Sequence, residues 1–450
     1  MHEQGLSRRT VLSAAVLSCS AGSALGADRS LRALEFQVGP GVPARANRQR
    51  LQALVDDLGF SGGGTLLLPE TRPGTHIGLD GPLRLRNGVS IEGEGSGAHL
   101  RNEVTDRVHV AYRFVLDLGN YTAAALLQEP RTRIDTILPG QAHVRLLSVE
   151  PESNYQVGDI VWAYSSNASW PPIRNFLQFN RIIGREEDRL FLHYPWLTQQ
   201  PVITASIAKS SGRLRDASGA PRRMVRRVRL KNLRLSVSAA DTPWSAAGGT
   251  MESEFENLLL ESVSPVYGNA ISYSRYKSIR ATFARRVVEL SGYSHDNIVE
   301  SLHATYRDQG SKPRGAPLIS FNENANRNCL RSFLIDGRGS REANLFRALY
   351  GSDNVVRDGI AVVPDLSSTA ISISPSVGRS EGNLVEDLEV YAPADAEIVS
   401  CRPAIGSKID GTLVRRVIAP GDRSSELNLT ACKPSGRSSS SRHDTPRVDR

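Results

Sequence analysis

The residues best able to do chemistry fall in one stretch of this chain. Arg275, Tyr276 and Lys277 stand together, followed by Glu289, Tyr293, His295 and Asp296, then Asn322, Glu323 and Asn324, then Arg347 and Asp353. Removal of a weakly acidic proton alpha to a carboxylate, as in eliminative cleavage of a uronic-acid polymer, requires a cation and a positioned base. Arg275, Lys277 or Arg280 would neutralise the carboxylate, and His295 or Tyr293 would act as base, or as acid to the leaving oxygen. His295 comes first, because imidazole titrates near neutrality and this one falls in the longest loop before the next strand. Asp296, Glu289, Asn322, Glu323 and Arg347 are the expected substrate-binding side chains. Each of these residues also has a plainer reading, an ordinary charge on a solvated turn. His303 reads as a surface residue, and Arg307 with Asp308 as a weaker secondary pair.

A glycoside hydrolase would instead need two carboxyl groups, about 5 Å apart for retention or roughly 6.5–9.5 Å for inversion. Asp296 and Glu323 fall at comparable places on neighbouring repeats, with Glu289 nearby, so hydrolysis stays open. Calcium also stays open as a cofactor, through Asp and Glu on adjacent turns, although no loop carries a specific ligand pattern. No cysteine or histidine spacing of the metal-binding type occurs.

These side chains must be held by something periodic. From Ala270 to Pro420 short strands recur: Ala270-Ile-Ser-Tyr-Ser, Val287-Val-Glu-Leu-Ser, Leu318-Ile-Ser-Phe-Asn, Leu345-Phe-Arg-Ala-Leu, Ala370-Ile-Ser-Ile-Ser and Glu397-Ile-Val-Ser-Cys. Their second residues are 17, 31, 27, 25 and 27 apart. A second series, Asn297-Ile-Val, Asn328-Cys-Leu, Asn354-Val-Val and Asn383-Leu-Val, lies between them and is read as continued by Lys408-Ile-Asp. Periods of this size built from strands and polar turns indicate a solenoid of β-coils. Alternation puts Ile271 with Tyr273, Ile319 with Phe321 and Ile371 with Ile373 inside, and Ser272, Glu289, Ser320, Arg347 and Ser372 outside. Cys329 is expected to point inward. An Asn before each strand suits a left-handed turn, and its amide can bond the equivalent Asn above and below. Asn297, Asn328, Asn354 and Asn383 are therefore expected to form a ladder, and Asn232 and Asn257 a further pair.

The chain has 450 residues, a formal net charge of +8, 6% aromatic residues and four cysteines. Few aromatics fit a narrow bore filled by Ile, Val and Leu, and the positive charge fits an anionic partner without identifying it. Cys401 and Cys432 are candidates to pair in an oxidising compartment.

Ser7-Arg8-Arg9-Thr10-Val11-Leu12, a short apolar run and Ala24-Leu25-Gly26-Ala27 resemble a twin-arginine export signal over residues 1–27. The apolar run is too short for a stable membrane span, so a periplasmic or secreted location is expected. Next, Leu51, Leu54, Val55 and Leu58 have helical spacing. Ser61-Gly62-Gly63-Gly64 then leads into Thr65-Leu-Leu-Leu68, and Pro82-Leu-Arg-Leu85 and Val89-Ser-Ile-Glu-Gly-Glu-Gly95 follow. This opening, about Asn47 to Gly97, resembles the pectate-lyase-like superfamily. The resemblance implies an all-β, right-handed single-stranded parallel β-helix, with an N-terminal helix capping its sticky lower edge. It identifies a scaffold and leaves the reaction open.

The expected organisation is a cap and first coils over 28–140, a β-rich insertion over 141–220, main coils over 221–421 and a disordered tail over 422–450. In the insertion, Trp162, Trp170 and Trp196 are read as core before sugar-stacking platforms. The motifs of β-helical polygalacturonases are absent, and Ser294-His295-Asp296 matches only the end of an epimerase Asp-Pro-His-Asp. Export and the lack of a recognition motif argue against nucleic acid as partner. The leading expectation is a lyase on an anionic polysaccharide. Hydrolysis and noncatalytic, tailspike-like carbohydrate binding are the alternatives, and a homotrimer is allowed for.

Overall fold

The protein, seen here as a computed structural model, is described over residues 29–105, 113–120, 128–147, 154–165, 177–197, 201–209, 223–239, 242–262, 264–308, 317–322, 325–340, 344–348, 351–366, 369–373, 379–393, 396, 398–401 and 408–418. The expected export signal, the tail, Trp170, Glu323, Asn324 and Cys432 lie outside these residues. The chain folds as a right-handed parallel β-helix. One long parallel sheet runs from Ser30–Arg32 through Gly64–Leu68 and Val89–Gly93 to Arg229–Val237, then adds Glu254–Glu261, Arg275–Phe283, Ile298–Tyr306, Cys329–Asp336, Val355–Val362, Leu384–Tyr391 and Leu413–Ile418. A second parallel sheet of nine strands, from Leu83–Arg84 to Val399–Cys401, closes the other side of each coil.

The bore follows from alternation. Leu66, Ile91, Leu230, Phe255, Tyr276, Val299, Leu330, Val356, Val385 and Val414 are register partners on successive strands. All of them are buried, and such side chains contribute about 1.5–3 kcal/mol each. At the lower end the helix Ala44–Phe60 turns Leu51, Leu54, Val55 and Leu58 onto the first coils, the face its spacing predicts. The chain leaves this helix through Gly63, at φ 123°, where a Cβ would stand 2.7 Å from the Gly88 carbonyl oxygen. Only glycine fits that approach. Among the described residues no helix is long and apolar enough to cross a membrane.

The asparagine ladder is present. The Asn297 side-chain amide donates to Asn328 Oδ1 at 2.9 Å, Asn328 to Asn354 at 3.1 Å and Asn354 to Asn383 at 3.0 Å. Each acceptor oxygen also takes the backbone N–H of the residue below, and the column runs down through Ser274 and Ser253. The left-handed residues are the preceding ones, Asp296, Arg327 and Asp353, which turn the chain so that the amides point inward.

Three details depart from expectation. The coil at Ala270 slips: Val266–Asn269 pairs with Val288–Ser291, and Ile271 lies beyond the strand. Gly268 leaves a gap in the bore that Ile271 fills, since a Cβ there would lie 1.9 Å from Ile271 Cδ1. The short spacing of 17 is the trace of this slip. Cys329 points outward, as register partner of Ile298 and Val355 beside the inward Leu330. Lys408–Asp410 pairs with Arg379–Glu381 in a separate ribbon, and Leu384 pairs instead with Leu413.

Between the coils ending at Asn102 and beginning at Arg229 the chain makes an excursion. Arg131–Arg133, His143–Arg145, Ile160–Ser165, Leu177–Glu186, Arg189–Leu192 and Ala205–Lys209 form one antiparallel sheet. Its outer strands are joined by an Ile134–Leu146 bridge and by Leu147 N–H donating to the Arg133 carbonyl, so the sheet closes on itself as a small barrel. Trp196 fills its core with Val144, Leu190 and Ile207, while Trp162 packs with Phe179 between barrel and β-helix.

Candidate functional site

The residues expected to act together are divided among four places. His295 is fully buried where the barrel docks on the coils. Its Nε2 lies 3.0 Å from Phe179 N, and because an N–H can only donate, Nε2 must accept. The ring proton therefore sits on Nδ1 and is donated to Asp296 Oδ2 at 2.6 Å. The ring also stacks on Phe179 and meets Tyr273 edge-on. Burial pushes the imidazole below its usual value, against the pull of Asp296. Burial would raise Asp296 too, but Arg327 and His295 hold that carboxyl at about 2. Tyr293 belongs to the same buried cluster as Trp162 and Phe179. With both nitrogens spent inside an interface, His295 has no open position for a proton from a polysaccharide.

Lys277 lies in a column of outward charges, and Arg275, two residues before it, bonds to a member of that column. Glu92, Lys231, Glu256, Lys277, Glu300, Arg331, Arg357, Glu386 and Arg415 are successive register partners, nearly alternating in sign. Glu300 accepts from Arg275 Nε at 2.8 Å and from Arg331 Nη2 at 2.6 Å, and Lys277 Nζ stands 3.8 Å from Glu256. These cations are already matched, so the column ties coils together. Glu289 and Arg347 share a column on the outer face of the second sheet, with Ser320 between them, and Glu289 is paired with Arg286. Asn322 ends the strand on that face, with its Oδ1 buried and unbonded. The charge column of Lys277 borders the fourth place, since Ser278 follows Lys277 and Arg357 Nε lies 3.4 Å from Asp358.

The fourth place is a bend in the long sheet. Asn232, Asn257, Ser278, Ser301, Ser332, Asp358, Asp387 and Arg416 are all left-handed, one per coil. Each stands midway along its strand, and together they crease the sheet outward. Two cavities follow one another along the crease. The lower, about 350 Å³, is lined by Thr71, Arg72, Thr75, Ser96, His99 and Arg280 among others. The upper, about 520 Å³, is lined by His303, Phe333, Leu334, Asp358, Asp387 and Glu389 among others. Arg280 and His303 are register partners on neighbouring strands, about 4.8 Å apart by strand spacing, and join the two. Both are exposed.

The electrostatics of the crease are simple. Among the described residues Arg280 and Arg72 make no ion pair, whereas Arg234 is held by Glu261 at 2.7 Å. Burial, with Arg234 and His76 nearby, lowers His99 to about 4, so it is neutral there. Asp387 is clamped by Arg416, whose hydrogen bonds hold it below the usual carboxylate range. Leu334 and Ile360 are exposed on the outer face beside the upper cavity. Underneath, the Phe333 ring occupies the space above Gly359, where a Cβ would meet it at 2.1 Å. Among the described residues no group of three or more His, Cys, Asp or Glu is placed to hold a metal ion.

Of the nine expected residues that are described, only Arg280 lies in this groove. His303, Asp358, Asp387 and Glu389 were missed. A signal existed: Ser301, Ser332, Asp358 and Asp387 stand four places after Asn297, Asn328, Asn354 and Asn383, and His303 and Glu389 stand six places after a rung.

No family model matches the chain. Among solved structures it is similar to the tailspike of Acinetobacter baumannii bacteriophage AP22 in complex with A. baumannii capsular saccharide, at 10% identity and a TM-score of 0.42, covering 86% of this chain and 70% of that one. It is also similar to a mutant tailspike of E. coli bacteriophage HK620 in complex with pentasaccharide, at 10% identity and a TM-score of 0.44, covering 86% and 62%. A surface adhesin of Streptococcus pneumoniae is similar at 10% identity and a TM-score of 0.34, covering 86% and 91%. At these identities the likeness is one of fold, the parallel β-helix.

Proposed function

We propose that the protein is an exported enzyme that lays an acidic polysaccharide along the crease of its long sheet and cleaves it by β-elimination. The observation that carries this reading is the unpaired Arg280 beside the exposed His303, on neighbouring strands where the two cavities meet. Arg280 neutralises the uronate carboxylate, which makes the alpha proton removable. His303 takes that proton. The electron pair left on carbon forms the new C=C bond, the bond to the glycosidic oxygen breaks, and the departing oxygen takes a proton from water. His303 replaces His295 in this role because it reaches solvent.

Purified protein incubated with uronic-acid polymers should generate unsaturated ends, followed by their absorbance. His303→Ala should lower kcat/KM about 10²–10⁴-fold, the usual worth of a general base. Full activity in His303→Ala and Arg280→Ala would overturn the assignment. A second reading, hydrolysis, is favoured by Asp358 and Asp387, which are register neighbours. New reducing ends without unsaturation, lost in Asp387→Asn, would select it. Binding without either product would select a noncatalytic carbohydrate-binding protein.

A further inference from the structure

The edge of the coils that meets the barrel carries a stack of its own. Arg226, Met251, Ser272, His295 and Asn326 are bridged coil to coil, and the residues that follow them, Arg227, Glu252, Tyr273, Asp296 and Arg327, are all left-handed. On the upper coils this edge is balanced in charge: Asp296 accepts from the buried His295 at 2.6 Å and from Arg327 Nη2 at 2.8 Å. At its foot the balance fails. Glu252 is the carboxylate that Arg181, Arg226 and Arg227 share. Arg227 Nε stands 3.2 Å from its Oε2, while Arg181 Nε, from the barrel, stands 3.7 Å from Oε1, too far for a hydrogen bond. The Tyr194 hydroxyl donates to Oε1 at 3.1 Å instead, and Arg181 Nε is left buried without a partner.

Arg226 is half-buried beside them, and among the described residues its guanidinium bonds to nothing; only its backbone N–H is held by a side chain, Asn87 Oδ1 at 3.0 Å. Burial and the neighbouring Arg227 push its pKa down, Arg181 adds to this, and Glu252 opposes them. His193 at the same corner is lowered by burial and by Arg181 and Arg227, so it adds no charge at neutral pH. A guanidinium withdrawn from water without a counter-charge costs free energy. Here three of them share one carboxylate, so two positive charges stay unmatched. A dianion with several acceptor oxygens would match both, and the paired N–H groups of arginine suit the oxygens of such a group.

We propose that this corner between barrel and β-helix is an oxyanion site, which takes a sulfate or phosphate group between Arg226, Arg227 and Arg181. It precedes the start of the strand Arg229–Val237, whereas the crease crosses the middle of that strand, so the site is separate from the proposed polysaccharide groove. The group comes either as the free ion or as an ester on a polysaccharide. The test is calorimetric titration of the full chain with inorganic sulfate and inorganic phosphate at constant ionic strength, with chloride as the reference ion. One equivalent should bind saturably. Arg226→Gln should weaken binding about 10-fold or more, the worth of one charge-assisted hydrogen bond. Arg227→Gln, at an exposed position where folding is not at stake, should weaken it as well. Glu252→Gln should tighten binding at least threefold by removing the competing carboxylate, a gain that a purely structural role of the arginines does not produce. Absence of saturable binding, unchanged binding in Arg226→Gln, or binding lost in Arg280→Gln instead would overturn the inference. Competition by a sulfated chondroitin oligosaccharide, but not by its unsulfated counterpart, would assign the group to a polysaccharide ester, and competition by neither would assign it to the free ion. Equal competition by both would overturn the choice of a dianion.

Discussion

Each coil of the long sheet turns twice through a left-handed residue, and the two turns have opposite fates. At the first, Asp296 or Arg327 is followed by an Asn whose amide points inward and is bonded above and below. At the second, Ser301, Ser332 or Asp358 points outward and bonds to no ladder, although on the lowest coils the Asn257 amide donates to Asn232 Oδ1 at 2.7 Å, the expected further pair. A left-handed non-glycine residue costs about 1–2 kcal/mol in either place. At the first turn the ladder offsets that cost with about 1 kcal/mol per hydrogen bond, and the barrel covers the lower part of the same edge. The first turn is thus fixed in residue type, whereas the second is free to vary. Variation there is what a binding site needs.

The largest test of this contrast is Asn328→Ala. It leaves the buried Asn297 backbone N–H without an acceptor, takes one of two acceptors from the Asn297 amide, and takes a donor each from Asn354 Oδ1 and the Ser294 carbonyl; it should cost about 3 kcal/mol, read as a lowered urea midpoint. Ser332→Ala at the other turn should stay within about 0.5 kcal/mol. Equal losses would erase the distinction.

The inner side of the second turn is less permissive than its outer side. Gly359→Ala drives a methyl into the Phe333 ring and should cost about 1–3 kcal/mol. Adding Phe333→Leu should recover most of that loss in a double-mutant cycle.

The covered edge should also be acid-sensitive. His295 is neutral in the docked state, with Nε2 accepting from Phe179 of the barrel, and it faces Asp296 and Tyr273, with Arg327 bound in turn to Asp296. Burial lowers its pKa below the ordinary 6.5. The stabilisation is therefore complete above that value and lost as pH falls below it, by up to about 1.4 kcal/mol per unit. A protonated ring would turn an N–H toward the Phe179 N–H. Amide exchange at Phe179, corrected for intrinsic rate, should accelerate below pH 6.5, while barrel amides such as Ile207 stay protected. The smallest effect is expected from Arg275→Ala. Its half-exposed ion pair is worth at most about 1 kcal/mol, and binding in the crease should not change.

Much of this was legible in the sequence, and the limits have physical causes. Asn297, Asn328, Asn354 and Asn383 announced themselves because stacked coils put the same demand on the same position. Leu51, Leu54, Val55 and Leu58 did so because a capping helix has one apolar face. His295 was misplaced because the group that covers it, Phe179, is more than a hundred residues away in sequence. No local pattern distinguishes a loop facing water from one facing a docked barrel. Asp358 and Asp387 were passed over because Asn, Ser and Asp suit any tight turn, and only the three-dimensional stack shows which turn is open.

The excursion between Asn102 and Arg229 bears on how the chain reaches this state. Ala98–Asn102 lies directly against Leu233–Val237, so the stack is continuous although its two sides are more than a hundred residues apart. Closing that joint costs roughly 1.5 kcal/mol more in loop entropy than adding an ordinary coil. Assembly should therefore start among the coils above Arg229, where each partner is one short turn away, and the cap should join late. Pulse-labelled amide exchange during refolding would show Leu302 and Leu330 protected before Leu66 and Ile91; the reverse order would mean that the cap is the nucleus.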